Sequence, residues 1–122
     1  MIVLDSSGWL EFFGEGTYAS EFAGRLRQPA NVLTPTLALY EVYKWMKRER
    51  SEEAALAAVA TMKRTHLIAL TEQIALTAAD LSLAHRLAMA DAVMLATARL
   101  FDAELITTDS DFAGIDGVIY LH

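Results

Sequence analysis

Three acidic side chains stand at the joints of this chain, and acids so placed can hold a hard cation through oxygen. Asp5 follows the apolar run Ile2-Val3-Leu4, Asp109 follows the apolar segment Glu104 to Thr107, and Asp91 opens a helical stretch from Ala90 to Phe101. In an open α/β sheet, ligands bind in the crevice beyond the carboxyl ends of the strands, where Asp5 and Asp109 would stand. A fourth acid, Glu41, is four residues from both Leu37 and Trp45 and shares a helix face with these large apolar groups. A carboxylate there is costly unless paired or coordinated. Two carboxylates about 5 Å apart repel by roughly 3 kcal/mol at an effective dielectric of about 20, so a converged group stays ionised only around cations. Oxygen-only, acid-rich sites suit Mg²⁺ or Mn²⁺, and Ca²⁺ less well without a dedicated binding loop.

Each acid has a plainer reading beside this one. An Asp at a helix start suits an N-cap or a dipole partner, which covers Asp91, and Asp5 can cap the helix that follows it. Asp109 with Ser110 and Asp111 can cap a short turn. Glu41 can pair with Lys44 at the edge of the apolar face. No acid is decisive singly; Glu41, set among apolar groups within its helix, carries the most weight.

The elements that must position them follow from the pattern of the chain. Ile2 to Leu4 reads as a short buried strand, followed by a helical Trp9 to Phe13 with Ser6 as its cap. Gly14 and Gly16 break the chain before a helix from Thr17 to Arg27, which Pro29 ends. Val32 and Leu33 form a strand, and Thr34 with Pro35 reads as a cap followed by proline at the first position of a helix reaching Arg50. Ser51 starts a helix to Arg64, His66 to Leu70 is a third strand, and Thr71 opens a helix ending at His85 or Leu87. Asp80, within that helix, reads as a surface residue, and His85 as a helix-end charge. Val118 to Leu121 closes the chain as a strand. Strands alternating with helices predict a mainly parallel sheet covered on both faces, in an α/β domain spanning residues 1–122.

Composition limits the chemistry. With 122 residues, 54% of them hydrophobic and 21% charged, the chain has the size and balance of one compact globular domain. It has no Cys, which removes disulfides, thiolate zinc sites and cysteine nucleophiles together, and His66, His85 and His122 lack ligand-like spacing. No apolar run is long enough to span a bilayer and no targeting segment is apparent, so the expected compartment is the cytosol. A formal charge of -6 argues against binding nucleic acid by overall attraction. Acids converging on cations would make a cleft less negative than that count, however, and Lys44, Lys47, Arg48 and Arg50 form a dense basic cluster that can guide phosphates. The same cluster also needs no role beyond favourable charge at a helix end.

Three rival chemistries meet specific obstacles. A phosphorylated receiver wants a lysine after a late strand, where Thr107, Thr108 and Asp109 stand. An aspartyl-phosphate phosphatase wants an acid two residues after Asp5, where Ser7 stands. A nucleotide-binding module wants a Gly-rich phosphate loop after a strand, and none is present.

The segments IVLDSSGWLEFF, TPTLALYEVYKW, MADAVMLATA and ELITTDSDF, in that order and spacing, closely resemble the PIN-domain ribonucleases, and among them the VapC-like toxins of bacterial toxin-antitoxin pairs. By that resemblance Asp5, Glu41, Asp91 and Asp109 match the four acids of the family in order, with Asp111 in the auxiliary acidic place. Ala88 departs from the pattern, since relatives often have proline before the third acid. The resemblance implies a three-layer α/β/α domain that cuts RNA with Mg²⁺ or Mn²⁺, as a homodimer restrained by a small antitoxin. Metal would then be held by Asp5, Asp91 and Asp109, with Glu41 holding a second ion or orienting water. Tyr40, Tyr43 and Trp45 with Trp9, Phe12 and Phe13 would line an antitoxin groove or a dimer contact, core packing being their ordinary role.

Overall fold

The computed structural model describes residues 1–122. Five strands, β1 (Ile2–Leu4), β2 (Val32–Pro35), β3 (His66–Ile68), β4 (Glu104–Thr107) and β5 (Val118–Tyr120), form one sheet in the order β3-β2-β1-β4-β5. Every pairing is parallel, so the sheet is wholly rather than mainly so. Six helices connect the strands: α1 (Ser6–Phe13), α2 (Ala19–Leu26), α3 (Thr36–Glu49), α4 (Glu52–Met62), α5 (Glu72–His85) and α6 (Met89–Leu100). Parallel neighbours require crossovers, and helices on both faces bury the strands, giving the expected three-layer α/β architecture. β1 and β2 are accordingly buried at every position, while the edge strands β3 and β5 are only partly so.

The strand order reverses beside β1. From this strand the chain builds outward to β2 and β3, and only later to β4 and β5 on the other side. The β1/β4 boundary is therefore the topological switch point, where adjacent connections leave in opposite directions and open a crevice above the strand ends. Val3 pairs with Leu105 and Leu4 with Ile106, a register that brings the next residues along, Asp5 and Thr107, side by side.

The helix carrying Asp91 is the most enclosed. From Ala92 to Ala98 every residue of α6 is buried, so this stretch packs on all sides; Leu100 lies at its exposed end. Ala92, Ala96 and Ala98 let neighbouring backbone approach closely, and the larger Leu95 fills the core between layers. Thr97 returns its hydroxyl to the Val93 carbonyl, which removes the cost of burying it.

Five local expectations are corrected. Asp5, not Ser6, caps α1, because its carboxylate accepts from the Gly8 amide while Ser6 is already helical. Pro35 ends β2 and takes the cap position of α3, one residue before the first-turn place expected for it. Thr34 is buried within the strand, its hydroxyl 2.6 Å from that of Thr65, and does not cap α3. Finally, α2 starts at Ala19, and β3 stops at Ile68 because Ala69 and Leu70 have already left the sheet. Ser51 and Thr71 cap α4 and α5 as expected.

Candidate metal centre

The crevice above β1 and β4 has a floor and a rim. Asp5 is the floor, only 2% exposed, and both of its oxygens are bound. Oδ1 accepts from the Ser7 hydroxyl at 2.8 Å and the Gly8 amide at 3.0 Å, and Oδ2 accepts from the Thr107 hydroxyl at 2.6 Å. Each hydroxyl has one proton, and both protons go to Asp5, which leaves the Ser7 and Thr107 oxygens facing each other at 3.2 Å. The Asp109 amide donates to Thr107 Oγ1 at 3.0 Å, so one hydroxyl ties the last residue of β4, the acid after it and the acid after β1 into one unit. Burial pushes the Asp5 carboxyl above the usual range, and nearby Asp109 adds to that; the bonds from Thr107, Gly8 and Ser7 oppose it.

Asp91, Asp109 and Asp111 form the rim. One oxygen from each lies within 4.8 Å of the others. Asp91 is delivered by the first turn of α6, whose preceding residue, Ala88, has φ -63° and ψ 159°. Proline would impose the same φ, so alanine here holds a turn conformation that proline could also take. Asp109 caps the 3₁₀ turn Ser110–Phe112 by accepting from the Asp111 amide at 2.9 Å, and that turn folds Asp111 back over it. Phe112, fully buried, anchors the turn.

No cation of the protein enters this group: the three ion pairs, Arg25 with Glu21, Lys47 with Glu52 and Arg48 with Glu49, all lie on exposed helix surfaces. The consequence falls on Asp91, whose carboxyl is pushed up to about 7, first by burial and then by the charges of Asp109, Asp5, Asp111 and Glu41. All five acids singled out from the sequence thus act on one point. The structure also sorts them: Asp91, Asp109 and Asp111 converge closely, Asp5 lies beneath them with its oxygens engaged, and Glu41 contributes the weakest of the four charges. Glu41 is half-buried beside the apolar face of α3, and Lys44 is turned to the Tyr40 hydroxyl rather than to Glu41.

Sequence reasoning missed Ser7 and Thr107 as members of the centre. Their signal was a hydroxyl two residues after the first strand-end acid and another two residues before the second. Spacing of that kind has meaning only once the β1/β4 register is known.

The donor set fits a divalent ion. Its atoms are all oxygens, several carboxylates face one point without a basic partner, and Mg²⁺ or Mn²⁺ takes such ligands while keeping part of its water shell.

A profile of the PIN domain matches residues 2–118. The chain belongs to the PIN-domain family. Among solved structures, this PIN domain is similar to a chain of a toxin-antitoxin complex from Klebsiella pneumoniae, with 28% identity over 98% of this chain and 96% of that one and a TM-score of 0.79. It is also similar to VapC20 of Mycobacterium tuberculosis, a sarcin-ricin loop cleaving toxin, at 22% identity over 93% and 92% of the two chains and a TM-score of 0.73. A chain of VapBC2 from Rickettsia felis, solved bound to a promoter DNA fragment, matches at 14% identity over 99% and 98% with a TM-score of 0.76. The last two likenesses bear on the fold alone. No curated protein matches by sequence. No helix of this PIN domain is long and apolar enough to cross a membrane.

Proposed function

We infer that this PIN domain, acting as a single unit over residues 1–122, is a metal-dependent endoribonuclease and the toxin of a toxin-antitoxin pair in the cytoplasm. The observation that carries this reading is the convergence of Asp91, Asp109 and Asp111 within 4.8 Å at the sheet's switch point, with no basic side chain among them. The Klebsiella likeness supports a toxin-antitoxin assignment, and RNA is the substrate class proposed by analogy with VapC20, a sarcin-ricin loop cleaving toxin of the same fold.

In this reading Asp91, Asp109 and Asp111 would hold Mg²⁺ or Mn²⁺, with Asp5 as a further ligand. The ion supplies Lewis acidity toward a phosphate oxygen and lowers the pKa of a coordinated water. Thr107 and Ser7 keep Asp5 from rotating, and so fix the floor against which the phosphate is positioned. Glu41, on a different helix, faces the centre from the side and orients the attacking water or holds a second ion. Inhibition by an antitoxin follows from the same charge: a guanidinium placed among Asp5, Glu41, Asp91 and Asp109 would bind carboxylates in paired hydrogen bonds and exclude the ion.

A homodimer is supported by the outer face of α5. Leu76 and Leu83, seven residues apart, stand 63% and 83% exposed, with Leu70 and Met89 beside the small-residue groove between α5 and α6. A second copy covering this face would remove several large apolar side chains from water. Leu83→Glu should then convert the protein from dimer to monomer in size-exclusion chromatography; an unchanged elution volume rejects this face as the interface.

The activity is tested with purified protein and total RNA in Mn²⁺, with sequencing of the new ends. Cleavage should stop in excess chelator and in Asp91→Asn; full cleavage in either case refutes the mechanism.

A further inference from the structure

A groove separates α1 from α3 and opens beside the acid centre. Its α1 wall is Ser6 and Leu10, and its α3 wall is Tyr40, Lys44, Trp45 and Arg48, with Glu41 at the end toward the acids. Ser6 adjoins Asp5 in the chain, so the groove and the crevice share a boundary. From Glu41 to Arg48 the helix rises roughly 10 Å, and Lys44 and Arg48 lie about 6 Å apart along it.

The groove's charge is opposite to that of the crevice. Four of the ten Lys and Arg residues fall between positions 44 and 50, in a chain of net charge -6. Lys44 has no carboxylate partner, its ammonium lying over the Tyr40 ring at 5.5 Å and near that residue's hydroxyl. Lys47 over Tyr43 and Arg50 over Trp45 repeat the arrangement at 5.6 and 5.8 Å. Arg48 pairs only with its neighbour Glu49 on the surface, a contact that water screens and a phosphate can replace. Tyr40 is 58% exposed, so its ring is open to a stacking partner. Aromatic rings interleaved with cations suit a single strand of nucleic acid, whose bases stack while its phosphates are neutralised.

We propose that the α1/α3 groove carries the single-stranded RNA flanking the scissile phosphate, with a base stacked on Tyr40 and consecutive phosphates taken by Lys44 and Arg48. This rests on the ribonuclease reading and names the path by which substrate reaches that site. The arrangement divides the labour of binding: the acid centre repels a phosphate chain until a cation is present, and the groove attracts it from the start. A base stacked without hydrogen bonds to its edge is read by its π-face only, so the groove contributes affinity and register rather than sequence choice.

The experiment measures binding without cleavage. Fluorescence anisotropy is recorded for a labelled oligouridylate of roughly 12 nucleotides, free of divalent ions, with the unaltered protein, Tyr40→Ala and the double variant Lys44→Ala/Arg48→Ala. Tyr40→Ala should weaken binding about tenfold, and the double variant should lower the slope of log affinity against log salt by about 1.4. A duplex of the same length should bind less tightly than the single strand. Calorimetric Mn²⁺ affinity and the melting temperature should be unchanged, since these side chains are exposed and outside the acid centre. Unchanged RNA affinity and salt slope in both variants would overturn the proposal, as would loss of antitoxin binding with RNA binding intact, which would make the groove a protein-docking surface. The ribonuclease reading fails by a different sign: no Mn²⁺-dependent cleavage by the unaltered protein.

Discussion

The floor and the rim of the acid crevice contain the same side chain, and tertiary structure treats the copies differently. Asp5 and Asp91 are both pushed above the ordinary aspartate range, and in both the first cause is burial. Asp5 is compensated by three donors within 3.0 Å, whereas Asp91 meets only further carboxylates. One acid is therefore fitted to stay still and the other to receive a positive charge. A buried acid alone does not mark a metal site; a half-buried acid whose neighbours are all acids marks it better.

The largest expected effect tests this contrast directly. Loss of groups that merely support a metal ligand weakens metal binding or activity by about 10 to 100-fold, so Asp91→Asn should reduce RNA cleavage by about 100-fold or more. In the metal-free protein near neutral pH the same change should raise the melting temperature, since it removes an anion that the fold opposes. A variant that is less active and less stable in the absence of metal would show that Asp91 is held by a partner after all.

Next in size is the floor. Thr107→Val keeps the shape of the side chain but leaves Asp5 Oδ2 and the Asp109 amide without their partner. Stranding buried polar groups should cost about 1–3 kcal/mol in urea unfolding, and Mn²⁺ affinity should fall by about 10 to 100-fold. Thr107→Ser, which restores the hydroxyl, should recover most of both. Equal defects in Val and Ser variants would assign the effect to packing rather than to the bond.

A smaller effect distinguishes rim from floor by pH. An acid that holds its proton more tightly in the folded chain than in the unfolded one favours folding below the unfolded value of about 3.9, and the advantage is lost as pH rises through the folded value. For Asp91 that window runs from the unfolded value up to about 7. The metal-free melting temperature should fall across it, and Asp91→Asn should flatten the fall. Mn²⁺ at ten times its dissociation constant should return about 1.4 kcal/mol near neutrality. Equal melting with and without Mn²⁺, at concentrations that support cleavage, would count against a clustered centre.

The smallest change lies in the turn that delivers Asp91. Ala88 already has a φ of -63° and its amide makes no hydrogen bond in the turn, so Ala88→Pro should stabilise the protein by about 0.5 kcal/mol, through the unfolded chain, with cleavage unaffected. Destabilisation would mean that the preceding Leu87 cannot accept the restriction proline places on it.

Much of the scaffold was legible along the chain because its signals are local. The apolar run before Asp5, the Ser51 and Thr71 caps and the boundaries of Glu104–Thr107 depend on side chains within a few positions of one another. Where two local readings competed, position in the fold chose between them. Pro35 was read as the first residue of a helix and is the last of a strand, since its neighbour Thr34 is drawn into the sheet by pairing with β3 and by the Thr65 hydroxyl. Ser6 was read as a cap, but the carboxylate of Asp5 is the stronger acceptor for the Gly8 amide and takes that role.

By itself, the amino-acid sequence determined which residues could hold a cation, that no cysteine chemistry competes, and that strands and helices alternate. It also carried the motifs that relate the chain to PIN domains, a relation matched over residues 2–118. Only the tertiary structure decided which acids meet. Asp91 and Asp109 are eighteen residues apart, and Asp5 lies more than a hundred residues from Thr107; the β1/β4 register and the turn at Ser110–Phe112 bring these groups together. It promoted Asp111 from an auxiliary position to the rim, added Ser7 and Thr107 to the floor, and left Glu41 at the side. The reason is physical: ligand geometry and electrostatic coupling depend on separation in space, and a chain encodes separation in space only through the whole of its packing.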